Sequence, residues 1–220
     1  MNRPALKICG LRHASQALAI GALGVEAIGV IGVAASPRYL APAPRRALFA
    51  DLAAAYPACR GVLVVADPAD SDLALLAADH GHRVLQLHGE ESPERCATLR
   101  HCLGVDIWKA LRIRSRQDLE RAKTYTDCVD ALLLDAWVAD QLGGTGQALP
   151  LDWLLDFSPA VPWWLAGGIT PERVGAILHH LHPNGLDVSS GVEDAPGEKN
   201  LARVKELLDA ISGSAATPAA

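Results

Sequence analysis

Short apolar runs alternate with longer amphipathic stretches about eight times along the chain. The pattern predicts strands over Leu6–Cys9, Ala27–Ile31, Gly61–Val65, Arg83–Leu87, Val105–Lys109, Ala131–Asp135, Pro162–Ala166 and Gly185–Ser189. Between them it predicts helices over Ala14–Leu23, Pro44–Ala55, Ser71–His80, Pro93–Cys102, Ser115–Thr124, Pro171–Leu181 and Lys199–Ile211. Leu151–Asp156 is long enough for a brief helix only. Two helix starts, Ser92-Pro93-Glu94 and Thr170-Pro171-Glu172, put a capping hydroxyl before a proline at the first helical position. Ser115 has Asp118 three residues on, close to a capping box.

A repeating strand–helix unit implies a parallel sheet with helical crossovers. Eight units favour a closed (β/α)8 TIM barrel over an open doubly wound sheet, although counting alone separates the two poorly. A chain of 220 residues suits one such domain, since these barrels run from roughly 200 residues upward. The expected domain covers residues 1–211. Residues 212–220 are small and Ala-rich and are expected to be a disordered tail.

Composition narrows the function classes. Half the residues are hydrophobic, in keeping with helices packed on a buried sheet. The net charge is −5 and the arginines are scattered. Nucleic-acid binding needs many cations on one face, so it is disfavoured. No apolar stretch of roughly 18 residues lacks polar breaks, so no membrane span is predicted. Met1-Asn2-Arg3-Pro4 runs straight into a strand with no signal-peptide core, so a cytoplasmic location is expected. The five cysteines include no C-x-x-C pair and no zinc-like cluster with histidine, so free thiols and no metal are expected.

A barrel of this kind places its active site at the C-terminal ends of its strands. Cys9 ends the first predicted strand, Gln86 and His88 the fourth, Lys109 the fifth, Asp135 the sixth, and Asp187 and Ser189 the eighth. Alternation puts Lys7 with Cys9, Gln86 with His88, and Asp187 with Ser189 on shared faces. Cys9 fits either a buried strand cysteine or a thiolate base whose pKa the neighbouring Lys7 lowers. Asp135, after three leucines, fits either a loop cap or a desolvated acid able to donate a proton near neutrality. The turns Ala166-Gly167-Gly168 and Ser189-Ser190-Gly191 follow strands seven and eight. Free backbone N–H groups there suit a phosphate. Gly143-Gly144-Thr145-Gly146 is a lid or a long turn. Arg38 sits in the loop after strand two, as a solvated arginine or as a fork for a carboxylate. His179-His180-Leu181-His182 reads as a solvated helix end rather than a metal site.

The same residues carry a resemblance to a known family. Lys7-Ile8-Cys9-Gly10, Gln86-Leu87-His88-Gly89-Glu90-Glu91, Leu133-Leu134-Asp135 with Gly143–Gly146, Leu165-Ala166-Gly167-Gly168, and Asp187-Val188-Ser189-Ser190-Gly191-Val192-Glu193 with Pro196-Gly197 resemble, in order and spacing, the motifs of the phosphoribosylanthranilate isomerases of tryptophan biosynthesis. The resemblance spans nearly the whole chain. It implies an Amadori rearrangement of N-(5-phosphoribosyl)anthranilate with no metal and no organic cofactor. It implies Cys9 as general base, Asp135 as general acid and Arg38 as holder of the anthranilate carboxylate. Lys7, Gln86, His88 and Asp187 are then expected to bind substrate. Gly167, Gly168, Ser189, Ser190 and Gly191 are expected to bind its phosphate. The expected partner is this small phosphorylated aminosugar, with monomer and homodimer both open. A related phosphosugar isomerase and a non-catalytic phosphate-binding barrel are the alternatives. The chain departs from the family in strand two, where G-F-[IV]-F reads Gly29-Val30-Ile31-Gly32.

Overall fold

The computed structural model describes residues 3–136 and 151–215. Eight parallel strands close into a barrel in chain order. They are β1 (Ala5–Cys9), β2 (Ala27–Ile31), β3 (Arg60–Val65), β4 (Val84–Leu87), β5 (Asp106–Ile113), β6 (Ala131–Ala136), β7 (Trp163–Ala166) and β8 (Gly185–Val188). Closure is made by β1 against β8, with Lys7 opposite Asp187.

Side-chain alternation divides the barrel into two cores. Outward positions such as Leu6, Ile8, Ile28, Val30, Leu63 and Leu132 join the helices in one large apolar layer. Inward positions such as Val62, Val64, Val84, Trp108, Leu133 and Trp164 fill the interior. Both faces of every strand are therefore buried, which is why the runs are apolar throughout rather than alternating. Trp108 and Trp164 stack with ring centroids 4.6 Å apart. Gly185 leaves room for them, since a β-carbon there would overlap the Trp164 ring.

The helices are α1 (Ala14–Gly21), α2 (Pro42–Ala55), α3 (Leu73–Leu76), α4 (Pro93–Leu103), α5 (Arg116–Lys123), α6 (Pro171–His180) and α7 (Leu201–Ala215). Ser92 caps α4 by accepting the Arg95 N–H at 3.2 Å. The Ser115–Asp118 capping box forms at the start of α5. Thr170 differs from expectation, because its side chain makes no capping bond. Its carbonyl instead receives the Arg173 and Val174 N–H groups.

Four further boundaries differ from the sequence pattern. β5 continues to Ile113, so Lys109 lies in mid-strand. The helix expected over Ser71–His80 is broken into short turns on either side of α3, with Ala77 extended. Asp72 accepts the Ala69 N–H at 3.0 Å, a local bond that favours a tight turn over a regular helix. Lys199 belongs not to α7 but to a short hairpin of β9 (Glu193–Ala195) and β10 (Glu198–Lys199). α7 runs on to Ala215, past Ile211. The Gly143–Gly146 loop and residues 216–220 of the expected tail lie outside the described residues. Among the described residues no helix is long and apolar enough to cross a membrane.

Candidate active site

Cys9 ends β1 and points into the barrel, where it belongs to the inner core and is 7% exposed. Lys7 lies two residues earlier on the same face, fully buried, with its Nζ 2.8 Å from Asp187 Oδ1 on β8. Burial alone would discharge Lys7, yet Asp187 and Cys9 together hold its pKa above the ordinary value. Burial also pushes the Cys9 thiol up; Lys7 pulls it down and Asp187 pushes it further up. The net shift is upward, so the lowering expected from Lys7 is outweighed by desolvation. Lys7 remains the cation that keeps a thiolate at this depth within reach.

Asp135 lies on the inward face of β6, two residues after the inner-core Leu133. Its carboxylate is about one-third exposed, and its Oδ2 is 3.7 Å from His88 Nε2 at the end of β4. Gln86, two residues before His88, is buried beneath it, with its Nε2 3.4 Å from His88 Nδ1. Cys9 and Asp135 thus sit at strand ends on the interior face of one closed barrel. One is a buried sulfur and the other a solvent-touched carboxyl.

Arg38 reaches back over β1. Its Nε and Nη2 fork onto Glu193, at 2.9 Å to Oε1 and 2.5 Å to Oε2. Glu193 also accepts from Lys199 Nζ at 2.6 Å and from the Gly197 N–H at 3.1 Å. Burial would raise the Glu193 pKa, but these donors outweigh it and hold it at about 2. Lys199 in turn donates to the Ser189 carbonyl at 3.2 Å, and Ser189 Oγ donates to the Cys9 carbonyl at 3.0 Å. Gly10, with φ +86°, permits this crossing: a β-carbon there would lie 2.5 Å from Arg38 Cδ.

The two glycine turns meet at the ends of β7 and β8. Gly167 and Gly168 both have positive φ, at 97° and 62°. Gly191 packs against the Ile169 carbonyl so closely that a β-carbon would overlap it. Among the described residues, the N–H groups of Gly168, Ser190 and Gly191 donate to no backbone carbonyl. Arg203 braces this wall by donating to the Gly191 carbonyl at 3.1 Å.

The structure gathers Cys9, Arg38, His88, Asp135, Asp187, Ser189, Ser190 and Gly191 with the Gly167–Gly168 turn at the barrel mouth. Lys7 and Gln86 are one layer lower. At 0% and 1% exposure they support Cys9 and His88 rather than line the opening. Lys109 is not in the site: it faces outward and pairs with Glu91 at 2.8 Å. In its place the longer β5 brings Arg112 beside Asp135, its register partner on β6. Glu193 and Lys199 were also missed. Glu193 was visible as part of a motif, but its bond to a residue 155 positions away is purely tertiary. The strand-two departures prove to lie behind the sheet. Val30 is in the outer core, and the space beside Gly32 holds buried Arg45, whose Nη1 would be 2.8 Å from an added β-carbon. His179 and His180 stack edge-on at the end of α6, away from the strand ends. Among the described residues no His, Cys, Asp and Glu cluster could hold a metal ion.

Comparison with known proteins agrees with this geometry. Residues 6–210 match the family model described as N-(5'-phosphoribosyl)anthranilate (PRA) isomerase. A curated relative of that name from Synechococcus elongatus is 45% identical over 208 residues, covering 94% of this chain and 95% of its own length. The crystal structure of phosphoribosyl anthranilate isomerase from Thermotoga maritima superposes with a TM-score of 0.84 at 28% identity, covering 96% of this chain and 99% of that one. A structure of such an isomerase in complex with reduced 1-(o-carboxyphenylamino)-1-deoxyribulose 5-phosphate superposes with a TM-score of 0.80 at 28% identity, covering 96% and 99%.

Proposed function

The chain belongs to the N-(5'-phosphoribosyl)anthranilate isomerase family of tryptophan biosynthesis, and we propose that it runs that isomerisation with Cys9 as general base and Asp135 as general acid. The reaction is an aldose–ketose isomerisation of the Amadori type. The acid protonates the ribose ring oxygen. The C1′–O bond breaks, its electron pair stays on oxygen, and the nitrogen lone pair forms an iminium at C1′. The base then takes the C2′ proton, leaving an enolamine that tautomerises to the 1-deoxyribulose 5-phosphate ketone.

One observation carries the assignment: the Cys9 sulfur and the Asp135 carboxyl are on interior faces at strand ends of the same barrel, on β1 and β6. An acid and a base on separate sides of one bound sugar are what the two proton transfers need. The remaining roles follow from the substrate's two anionic ends. The N–H groups of Gly168, Ser190 and Gly191, which donate to no backbone carbonyl among the described residues, suit the phosphate together with Gly167 and Ser189. Arg38, its Nε edge committed to Glu193, keeps its Nη1 edge for the anthranilate carboxylate. Fixing both ends brings the C2′ hydrogen to the sulfur and makes the step effectively unimolecular. Asp187 orients the ribose, and His88 faces the reacting sugar beside Asp135. Lys7 and Gln86 act from below through Cys9 and His88. We read the chain as one catalytic domain working in the cytoplasm on a small molecule, with no metal or cofactor in the steps.

The test is direct. Purified protein is expected to consume N-(5-phosphoribosyl)anthranilate, followed by fluorescence. Binding of the substrate without turnover would instead make the barrel a phosphate-ligand binder.

A further inference from the structure

His88 stands between two groups that ask different things of it. Its Nε2 is 3.7 Å from Asp135 Oδ2, and its Nδ1 is 3.4 Å from Gln86 Nε2. Gln86 is 1% exposed, so its amide is settled by the few groups around it. Among the described residues its Oε1 has no partner. An amide nitrogen can only donate, so with Nε2 rather than Oε1 set against the ring the contact requires Nδ1 to accept. Gln86 therefore donates to Nδ1. An imidazole that accepts at Nδ1 carries its proton at Nε2, and that proton points at Asp135.

We propose that Gln86 and His88 form a positioning chain for the general acid: Gln86 fixes the Nε2–H tautomer of His88, and His88 donates to Asp135 Oδ2. With Oδ2 engaged as an acceptor, the acidic proton resides on Oδ1, the oxygen left free to face the sugar. The proton that Asp135 delivers is then aimed at the ring oxygen before substrate arrives. The 3.7 Å gap closes by a few tenths of an ångström in the bound state, as such contacts commonly do. The backbone around His88 is rigid enough to serve. Glu91 accepts the Gly89 N–H at 3.0 Å and the Lys109 ammonium at 2.8 Å, and the His88 N–H bonds to the Val65 carbonyl at 2.8 Å.

This inference rests on Asp135 being the acid, and the experiment separates the two claims. A Gln side chain at position 88 reaches as far as Nε2 of the imidazole, whereas Asn reaches only as far as Nδ1. His88→Gln is therefore expected to keep kcat within a few-fold of wild type. His88→Asn should lose about 10²-fold in kcat with KM changed less than about threefold. Nitrogen-15 NMR of the imidazole is expected to show the Nε2–H tautomer in wild type. Gln86→Glu, which can only accept, should switch it to Nδ1–H and lower kcat. Thermal melts check that each variant is folded. Equal kcat for His88→Asn and wild type, an effect confined to KM, or an Nδ1–H tautomer in the wild-type protein would each overturn the proposal. Full activity in Asp135→Asn would overturn the acid assignment instead, while the tautomer measurement would still report on the Gln86–His88 contact.

Discussion

A β-carbon at Gly29 on β2 would lie 2.7 Å from the sulfur of Cys9 on β1. The same atom would lie 2.9 Å from Lys7 Cε and 3.0 Å from Lys7 Nζ. An inward residue with no side chain thus makes the space in which the base and its cation sit together. Gly29→Ala should displace both. We expect kcat to fall roughly tenfold or more, since about 1 Å of misplacement can cost 10²-fold. The melting temperature should drop in line with an overpacking cost of about 1–3 kcal/mol. Steady-state kinetics with a thermal melt checks this; unchanged kcat would show that Cys9 is not held where it matters.

Cys9→Ala and Asp135→Asn should each lower kcat by about 10²–10⁴-fold, the usual scale for losing a general base or acid. Both variants should bind the product analogue as wild type does, because neither anionic end of the ligand is touched. Turnover of Cys9→Ala at the wild-type rate would remove the base assignment.

Lys7 gives the reaction a pH signature. Burial holds the Cys9 pKa above its ordinary value and Lys7 pulls it down, so the active thiolate form gains population as pH rises. Lys7→Met removes the downward pull. The acid limb of the kcat profile should move to higher pH, with a defect that is constant below the wild-type Cys9 pKa and shrinks once pH passes it. The variant also leaves Asp187 without its partner, a loss on the order of 3–5 kcal/mol of stability. A defect equal at every pH would mean that Lys7 supports the fold and not the sulfur.

Glu193 ties Arg38 to Lys199, and its removal should appear in binding. Glu193→Gln should raise KM about tenfold with kcat nearly unchanged, because Arg38 loses its anchor while the acid and base do not. A second effect concerns acid stability. The Glu193 pKa falls from the ordinary glutamate value of 4.5 to about 2 on folding. A depressed carboxylate pKa contributes stability that is full above pH 4.5 and fades as pH falls towards 2. Its size is on the order of 3 kcal/mol. Wild type should lose this stability across that window and Glu193→Gln should not, as denaturant unfolding at pH 6, 4 and 3 would reveal.

Gly191→Ala tests the phosphate wall. The new methyl would overlap the Ile169 carbonyl, so the turn must shift. KM should rise about tenfold or more, and inorganic phosphate should inhibit more weakly than in wild type. Unchanged phosphate inhibition would move the anion site elsewhere.

The fold was legible because its signal is local. Eight apolar runs separated by amphipathic stretches, with capping residues at Ser92 and Ser115, declare strands and helices by periodicity, and short βα units leave few ways to connect them. Cys9, Asp135 and the two glycine turns were legible for a related reason: strand ends are where this architecture puts its chemistry. Lys109 shows the limit of that logic. Its strand continues four residues further, to Ile113, and those residues pair with Leu133, Leu134, Asp135 and Ala136 in space.

The order of residues in this chain determined by itself which segments are strands, which polar groups stand near their ends and which turns are built on glycine. Those properties depend on neighbours a few positions apart. Tertiary structure decided how deep each group lies and what faces it. Only the closed barrel places Lys7 on Asp187, 180 positions away, and Arg38 on Glu193. Only burial decides that desolvation outweighs the lysine at Cys9. Charge energetics depend on distance through space and on exclusion of water, and neither quantity is written in the spacing of a sequence.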